Sequence, residues 1–232
     1  MLDLFPYTYS EILSMIKLLE VYPGIFALSV EDQFLRGMLF LRYQEHYESY
    51  SDEFRGKHFL ISDYIDWYKD WSGNSDFTYM SDWVGFNLPS NSIVECMWGV
   101  PDWNVYDDAM KYIVDKIGNI LGDNPFYLIG VGPMDVNGIL NHEIAHGLYY
   151  LNPEYKNKML EHIYSIPVDV RVNFKKVIAE MGYCNNVSDD EMQAYMSTGL
   201  HGAMGKYSEY SETFSETFNS FYDKVGKVEV IC

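Results

Sequence analysis

Cationic side chains are scarce: 16 Lys and Arg stand against 34 Asp and Glu, giving a formal net charge of −18, and no Lys/Arg cluster stands out. Wrapping of nucleic acid is not expected, because phosphate binding is driven by clustered cations that release counterions. The same deficit argues against attraction to an anionic membrane. Cysteine is sparse too. Cys96, Cys184 and Cys232 are odd in number and form no CxxC pair, which argues against a disulfide framework and against a cysteine-built zinc site. They read as reduced thiols, two of them buried and one in a tail. The opening MLDLFPYTYS has no basic segment followed by an apolar stretch and a small-residue cleavage site, so no secretory signal is expected. No uninterrupted apolar run reaches 18 residues, the length a membrane helix needs. The expected setting is cytoplasmic.

No linker rich in Gly, Ser or Pro divides the 232 residues, and 48% of them are hydrophobic, ample for a buried core. One domain over residues 1–232 is the simplest expectation. Its first part, about 1–125, is mostly helical and fits no named family; the second, 126–232, carries the chemistry. Thr8 and Glu11 form a capping-box pattern ahead of Ile12, Met15, Ile16 and Leu19, whose spacing predicts one helix running to Pro23-Gly24. Further helices are expected over about 31–47, from a cap at Ser62 through Tyr68, and over about 103–120. Phe77 to Met80 reads as a short strand and Phe126 to Val131 as the clearest strand, while Ser92 to Glu95 suits helix and strand equally. From about residue 137 the pattern is helical, broken at Asn152-Pro153, at Pro167 and over 199–205. The last helix is expected to carry Tyr207, Tyr210, Phe214, Phe218 and Phe221 on one side. Helices outnumber strands, and the strands precede the central helix, which predicts an α+β fold with a small sheet.

His142-Glu143-Ile144-Ala145-His146 is an HExxH sequence. Residues four apart on a helix are rotated by about 40° and lie about 6 Å apart along the axis, so both imidazoles can reach one ion. Glu143, about 100° from His142, cannot bind that ion directly but can reach a water held by it, the position of a general base. By chance the bare pattern occurs in on the order of one chain in a hundred of this length. The flanking Asn141, Gly147 and Leu148 are uncharged, as a helix sunk in the core requires. Two histidines satisfied inside an ordinary helix are the plain alternative, though they would still need polar partners.

The motif resembles that of the zincin metallopeptidases. The resemblance covers about a third of the chain, from Phe126 to Leu200, and implies a zinc-dependent peptidase acting on a peptide or protein. In that superfamily the motif helix follows a mixed sheet whose edge strand holds extended substrate, and Phe126 to Val131 stands where that strand is expected. The metzincin continuation would need Gly at 149 and His at 152, where this chain has Tyr149 and Asn152. Gluzincins draw a third ligand from a later helix, and Asp190-Glu191-Met192-Gln193-Ala194-Tyr195 resembles that segment. The resemblance therefore implies Zn²⁺ held by His142, His146 and Glu191, with Asp190 orienting a ligand imidazole and the small Ala194 letting the helices approach. Asp189, Asp190, Glu154, Glu161 and His162 are alternative ligands, and Glu191 in an ordinary helical first turn is the plain reading. Tyr195, His201 and Tyr207 are candidates to stabilise an oxyanion. The tryptophans at 67, 71, 83, 98 and 103 read first as core and then as a substrate platform. Two other classes fit the sequence: an acidic binding protein that engages basic partners, and a zincin-like protein with a structural metal. A hybrid, a peptidase that attracts a basic protein substrate, fits as well.

Overall fold

The computed structural model describes residues 4–133, 139–222 and 229–230. The chain begins with α1 (Tyr9–Met15), capped by the expected Thr8/Glu11 box. It does not continue as helix to Pro23. Ile16–Tyr22 is strand β1, and Pro23-Gly24 closes a hairpin onto β2 (Ile25–Val30), with Tyr22 opposite Ile25. Ile12, Met15, Ile16 and Leu19 satisfy a helical stripe, but Ile16, Leu18 and Val21 also bury one after another along an extended chain, and strand pairing decides between the two.

Next come α2 (Gln33–Glu48) and α3 (Ile61–Ser72), the latter starting on the Asp102 carboxylate, which accepts the Ile61 N–H, rather than on Ser62. The expected strand at Phe77 to Met80 is instead the single turn α4 (Tyr79–Asp82). Thr78 explains it: its carbonyl accepts the N–H groups of Ser81 and Asp82, and its hydroxyl donates to Asp82 Oδ2 at 2.6 Å. The strand lies later, as β3 (Phe86–Pro89), followed by α5 (Ser90–Met97), α6 (Val105–Leu121) and β4 (Tyr127–Val131). The second half is helical: α7 (Ile139–Leu151), α8 (Pro153–Ser165), α9 (Val168–Glu180), α10 (Ser188–Thr198) and α11 (Glu212–Tyr222), with β5 at Glu229–Val230. Tyr207 and Tyr210 are not on the last helix but in a 3-10 segment, Gly202–Tyr210, that extends the glycine-rich break.

The class is α+β, and the sheet is mixed, in the order β3-β4-β2-β1-β5, with β2 and β4 parallel and the other pairs antiparallel. β4 was expected at the edge, yet it lies between β3 and β2, so β3 is the edge strand on that side. Alternation along the strands splits the core in two. Leu18, Phe26, Leu28, Phe86, Leu88 and Leu128 face α2 and its neighbours, while Leu19, Ile25, Ala27, Tyr127 and Ile129 face α7. α2 is therefore buried almost all round. Its Arg42 is satisfied by Asp102 at 2.7 Å and Asp107 at 3.2 Å. On the other face Gly147 lets α7 settle on β2: a Cβ there would stand 2.6 Å from Ile25 Cδ1. Cys96 and Cys184 are buried free thiols, and Cys232 lies outside the described residues. No helix among the described residues is long and apolar enough to cross a membrane.

Candidate metal centre

α7 carries His142, Glu143 and His146, and its apolar Ile144, Ala145 and Leu148 are fully buried towards the sheet, which turns the histidines the other way. α10 packs against that face and runs antiparallel to α7: Asp190 and Glu191 at its start lie beside His146, and Thr198 at its end lies beside His142. Ala194, fully buried between them, takes up little of the space.

Three donor groups converge. His142 Nε2 and His146 Nε2 are 3.2 Å apart, His146 Nε2 is 3.5 Å from Glu191 Oε1, and His142 Nε2 is 3.7 Å from Glu191 Oε2. The other ring nitrogens are spoken for. His146 Nδ1 lies 2.9 Å from Asp190 Oδ1, and His142 Nδ1 lies 3.3 Å from Thr198 Oγ1, whose own hydroxyl donates to the Ala194 carbonyl at 2.8 Å. Both partners act as acceptors, an arrangement that would seat a proton on each Nδ1 and leave each Nε2 to face a bound cation. Asp190 is held in turn by Gln193, and Gln193 by the fully buried Tyr155 hydroxyl. Glu191 Oε2 is buried without a hydrogen-bond partner. Two imidazole nitrogens and an unsatisfied buried carboxylate oxygen at these separations suit one shared cation. His142, His146 and Glu191 are thus a group that could hold a metal ion.

Glu143 points out of the triangle into a tight slot. Gly85, just before β3, is so close that a Cβ there would stand 2.6 Å from Glu143 Oε1. Burial pushes the Glu143 carboxyl up, opposed by His142, His146 and the side-chain amide of Asn87. Asn87 is oriented by Tyr127, whose hydroxyl donates to Asn87 Oδ1 and leaves the NH₂ group for Glu143. For His146, burial works against protonation, but Asp190 and Glu191 outweigh it and raise the imidazole well above its usual value.

The site opens into a cleft of about 860 Å³, lined by Trp71, Trp83, Tyr183, Tyr195, Gly199 and His201 among others. Tyr195 is in the site: its ring centroid is 4.5 Å from that of His142, its hydroxyl is 3.4 Å from that of Tyr183, and burial, then Glu191, pushes the phenol up to about 12. His201 lines the same cleft as an exposed ring with no hydrogen bond to the ligands. Tyr207 is not in the cleft; it is buried against Phe174. The alternative ligands are likewise engaged elsewhere. Asp189 pairs with Lys175, Glu154 pairs with Lys158, and His162 packs on Phe214 and bonds Thr217. Trp98 and Trp103 are exposed and outside the cleft.

Several residues of the site carried no signal in the sequence reading: Gly85, Asn87 and, on α2, Glu45 and Glu48. Behind the metal-ligand triangle these two glutamates face a chamber of about 60 Å³ whose wall continues to His142, Glu143, His146 and Glu191. Thr198 did have a signal, seven residues after Glu191 and so on the same face of α10. A scan against protein-family models found no match, and searches of curated proteins and of solved structures found none either.

Proposed function

We propose that the chain is a zinc-dependent peptidase with Glu143 as general base. The observation that carries this reading is the triangle of His142, His146 and Glu191 with the desolvated Glu143 beside it at the floor of an open cleft. Zinc fits the donor set. Bonds of about 2.0–2.1 Å in a tetrahedron put neighbouring donors about 3.3 Å apart. The three separations here are 3.2, 3.5 and 3.7 Å. Three protein donors leave one corner open, as catalytic rather than structural sites do. Zinc bound there would polarise a carbonyl and make water acidic enough to lose a proton near neutrality.

The remaining chemistry belongs to the chain. Glu143 takes the proton of the attacking water as its oxygen adds to the peptide carbonyl, then hands it to the nitrogen as the C–N bond breaks. A carboxyl raised by burial is better matched to that second transfer than an ordinary one. Charge gathering on the carbonyl oxygen needs a donor, and the neutral phenols of Tyr195 and Tyr183 stand beside His142. Asp190 and Thr198 keep the two imidazoles in register.

The test is metal analysis of the purified protein together with hydrolysis of peptide libraries by wild type and Glu143→Gln. One zinc per chain in both proteins is expected, with turnover at least about 100-fold lower in the variant. A wild type that binds no zinc, or a variant that cuts peptides as fast as wild type, rejects the reading.

A further inference from the structure

The chamber behind the ligand triangle has chemistry that hydrolysis itself does not use. Glu45 and Glu48 lie one turn apart on α2, on the same face, and both line it. Neither forms an ion pair among the described residues, and no Lys or Arg lines the chamber. Burial pushes both carboxyls up; Glu191 adds to the effect at Glu48, while hydroxyls of Ser49, Tyr79 and Tyr64 oppose it at Glu45. Hydroxyls reach Glu45 and the Gln44 amide reaches Glu48, but no cationic side chain lines the chamber, so a positive charge entering it would meet two acids that have no ion-pair partner.

The walls are aromatic. Tyr79 meets Tyr64 edge to face at 5.7 Å and Tyr68 at 5.4 Å, and Trp67 stacks on Trp71 at 5.7 Å. Tyr79 is fully buried, and its hydroxyl is turned towards Glu45. Gln44 spans the inner wall, donating to Glu48 and accepting the Asn87 N–H at 3.2 Å, so Glu48 is fixed relative to β3 and Glu143. Rings around a carboxylate pair suit an alkyl chain ending in a cation, through cation–π attraction and charge-assisted hydrogen bonds. The free volume, equal to roughly four waters, suits the narrow stem and ammonium of a lysine, whereas an arginine would leave part of its stem outside the chamber.

We infer that this chamber is a specificity pocket for a lysine or arginine side chain of the substrate, next to the scissile bond, with Glu45 and Glu48 as its anionic end and Tyr64, Tyr79 and Trp67 as its walls. The inference rests on the peptidase reading for the words substrate and scissile bond. The pocket's affinity for a cation does not.

The experiment titrates metal-free and zinc-loaded protein with n-butylammonium, n-propylguanidinium and 1-butanol, following the fluorescence of the chamber tryptophans. Saturable changes are expected with the two cations in both forms of the protein, and at least about tenfold weaker binding of the alcohol, since a site built around charge rejects a neutral isostere. Glu45→Gln and Glu48→Gln should each weaken cation binding by about tenfold with unchanged circular dichroism and a melting temperature no lower than that of wild type. Equal responses to cation and alcohol in the wild type overturn the inference without recourse to any variant. So does a wild-type cation response in both folded variants. A peptide set with Lys, Arg, norleucine or Glu on either side of the cut separates the two readings. Cleavage indifferent to the basic residue removes the pocket and keeps the peptidase. Cation binding with no cleavage of any peptide does the reverse. A preference only for a free N-terminal ammonium would show that the pocket takes the chain end, and would overturn the side-chain assignment.

Discussion

Gly85 and Glu143 share one space: a single added carbon on residue 85 would stand 2.6 Å from the Glu143 carboxylate oxygen. The residue beside the edge strand thereby sets where the proposed general base can be. Gly85→Ala should leave zinc binding intact, because no ligand touches the site of the change, yet push Glu143 off its line. An error of about 1 Å in a catalytic group costs on the order of 100-fold in rate. The check is kcat on a cleaved peptide beside zinc stoichiometry; a variant with full zinc and full turnover removes Gly85 from the mechanism.

Loss of the groups that hold the imidazoles should appear in metal affinity. Asp190→Asn replaces the charged acceptor at His146 Nδ1 with a neutral amide, and Thr198→Val removes the acceptor at His142 Nδ1. Each should weaken zinc binding by about 10- to 100-fold, measured by competition with a chelator of known affinity. Glu191→Gln should cost more, since it removes a donor rather than a donor's support. Wild-type affinity in all three would mean that the ion is bound elsewhere.

Glu45 makes stability depend on pH. Burial raises its folded-state pKa above that of the unfolded chain. Folding then takes up a proton, and the contribution to stability is fully present below the unfolded carboxyl value and lost as pH rises through the folded one. Relative to wild type, Glu45→Gln should become progressively more stable from about pH 4.3 upwards, starting near the unfolded glutamate value. Urea unfolding of both proteins across that range gives the difference; a constant offset would place the Glu45 carboxylate in a solvated environment.

Gly147→Ala tests the seat of the metal helix. The new methyl would meet Ile25 at 2.6 to 3.1 Å, including the branched Cγ2, so either Ile25 or α7 must move. Overpacking of this kind costs about 1–3 kcal/mol. A lowered urea midpoint with an unchanged slope is expected, and a midpoint at or above that of wild type would show slack between helix and sheet.

The legible part of the site lies within sixty residues of chain that is almost all helix. There the i, i+4 rule joins His142 to His146, and one returning helix supplies Asp190 and Glu191. The rest arrives through the sheet. Gly85 and Asn87 reach Glu143 because β3 pairs with β4, and no local pattern in Trp83 to Pro89 records that pairing. Glu45 and Glu48 reach it because α2 is wrapped on all sides, so apolar periodicity could not tell its faces apart. The hairpin after Met15 escapes sequence reading for a related reason: Ile16 and Leu19 continue the helical spacing of Ile12 and Met15, yet in β1 they face opposite sides of the sheet, and only the partner strand decides.

The outer margin of β3 has few open rungs. Phe86 and Leu88 are turned to β4, the outward Asn87 N–H is already held by Gln44, and Pro89 has none to offer. A peptide laid along this margin would find an open main-chain N–H only near Gly85, level with Glu143, and otherwise only carbonyls. Grip would then come from side chains sunk in the cleft instead of from a long ladder, and a ligand of two or three residues would forfeit little against a full-length polypeptide.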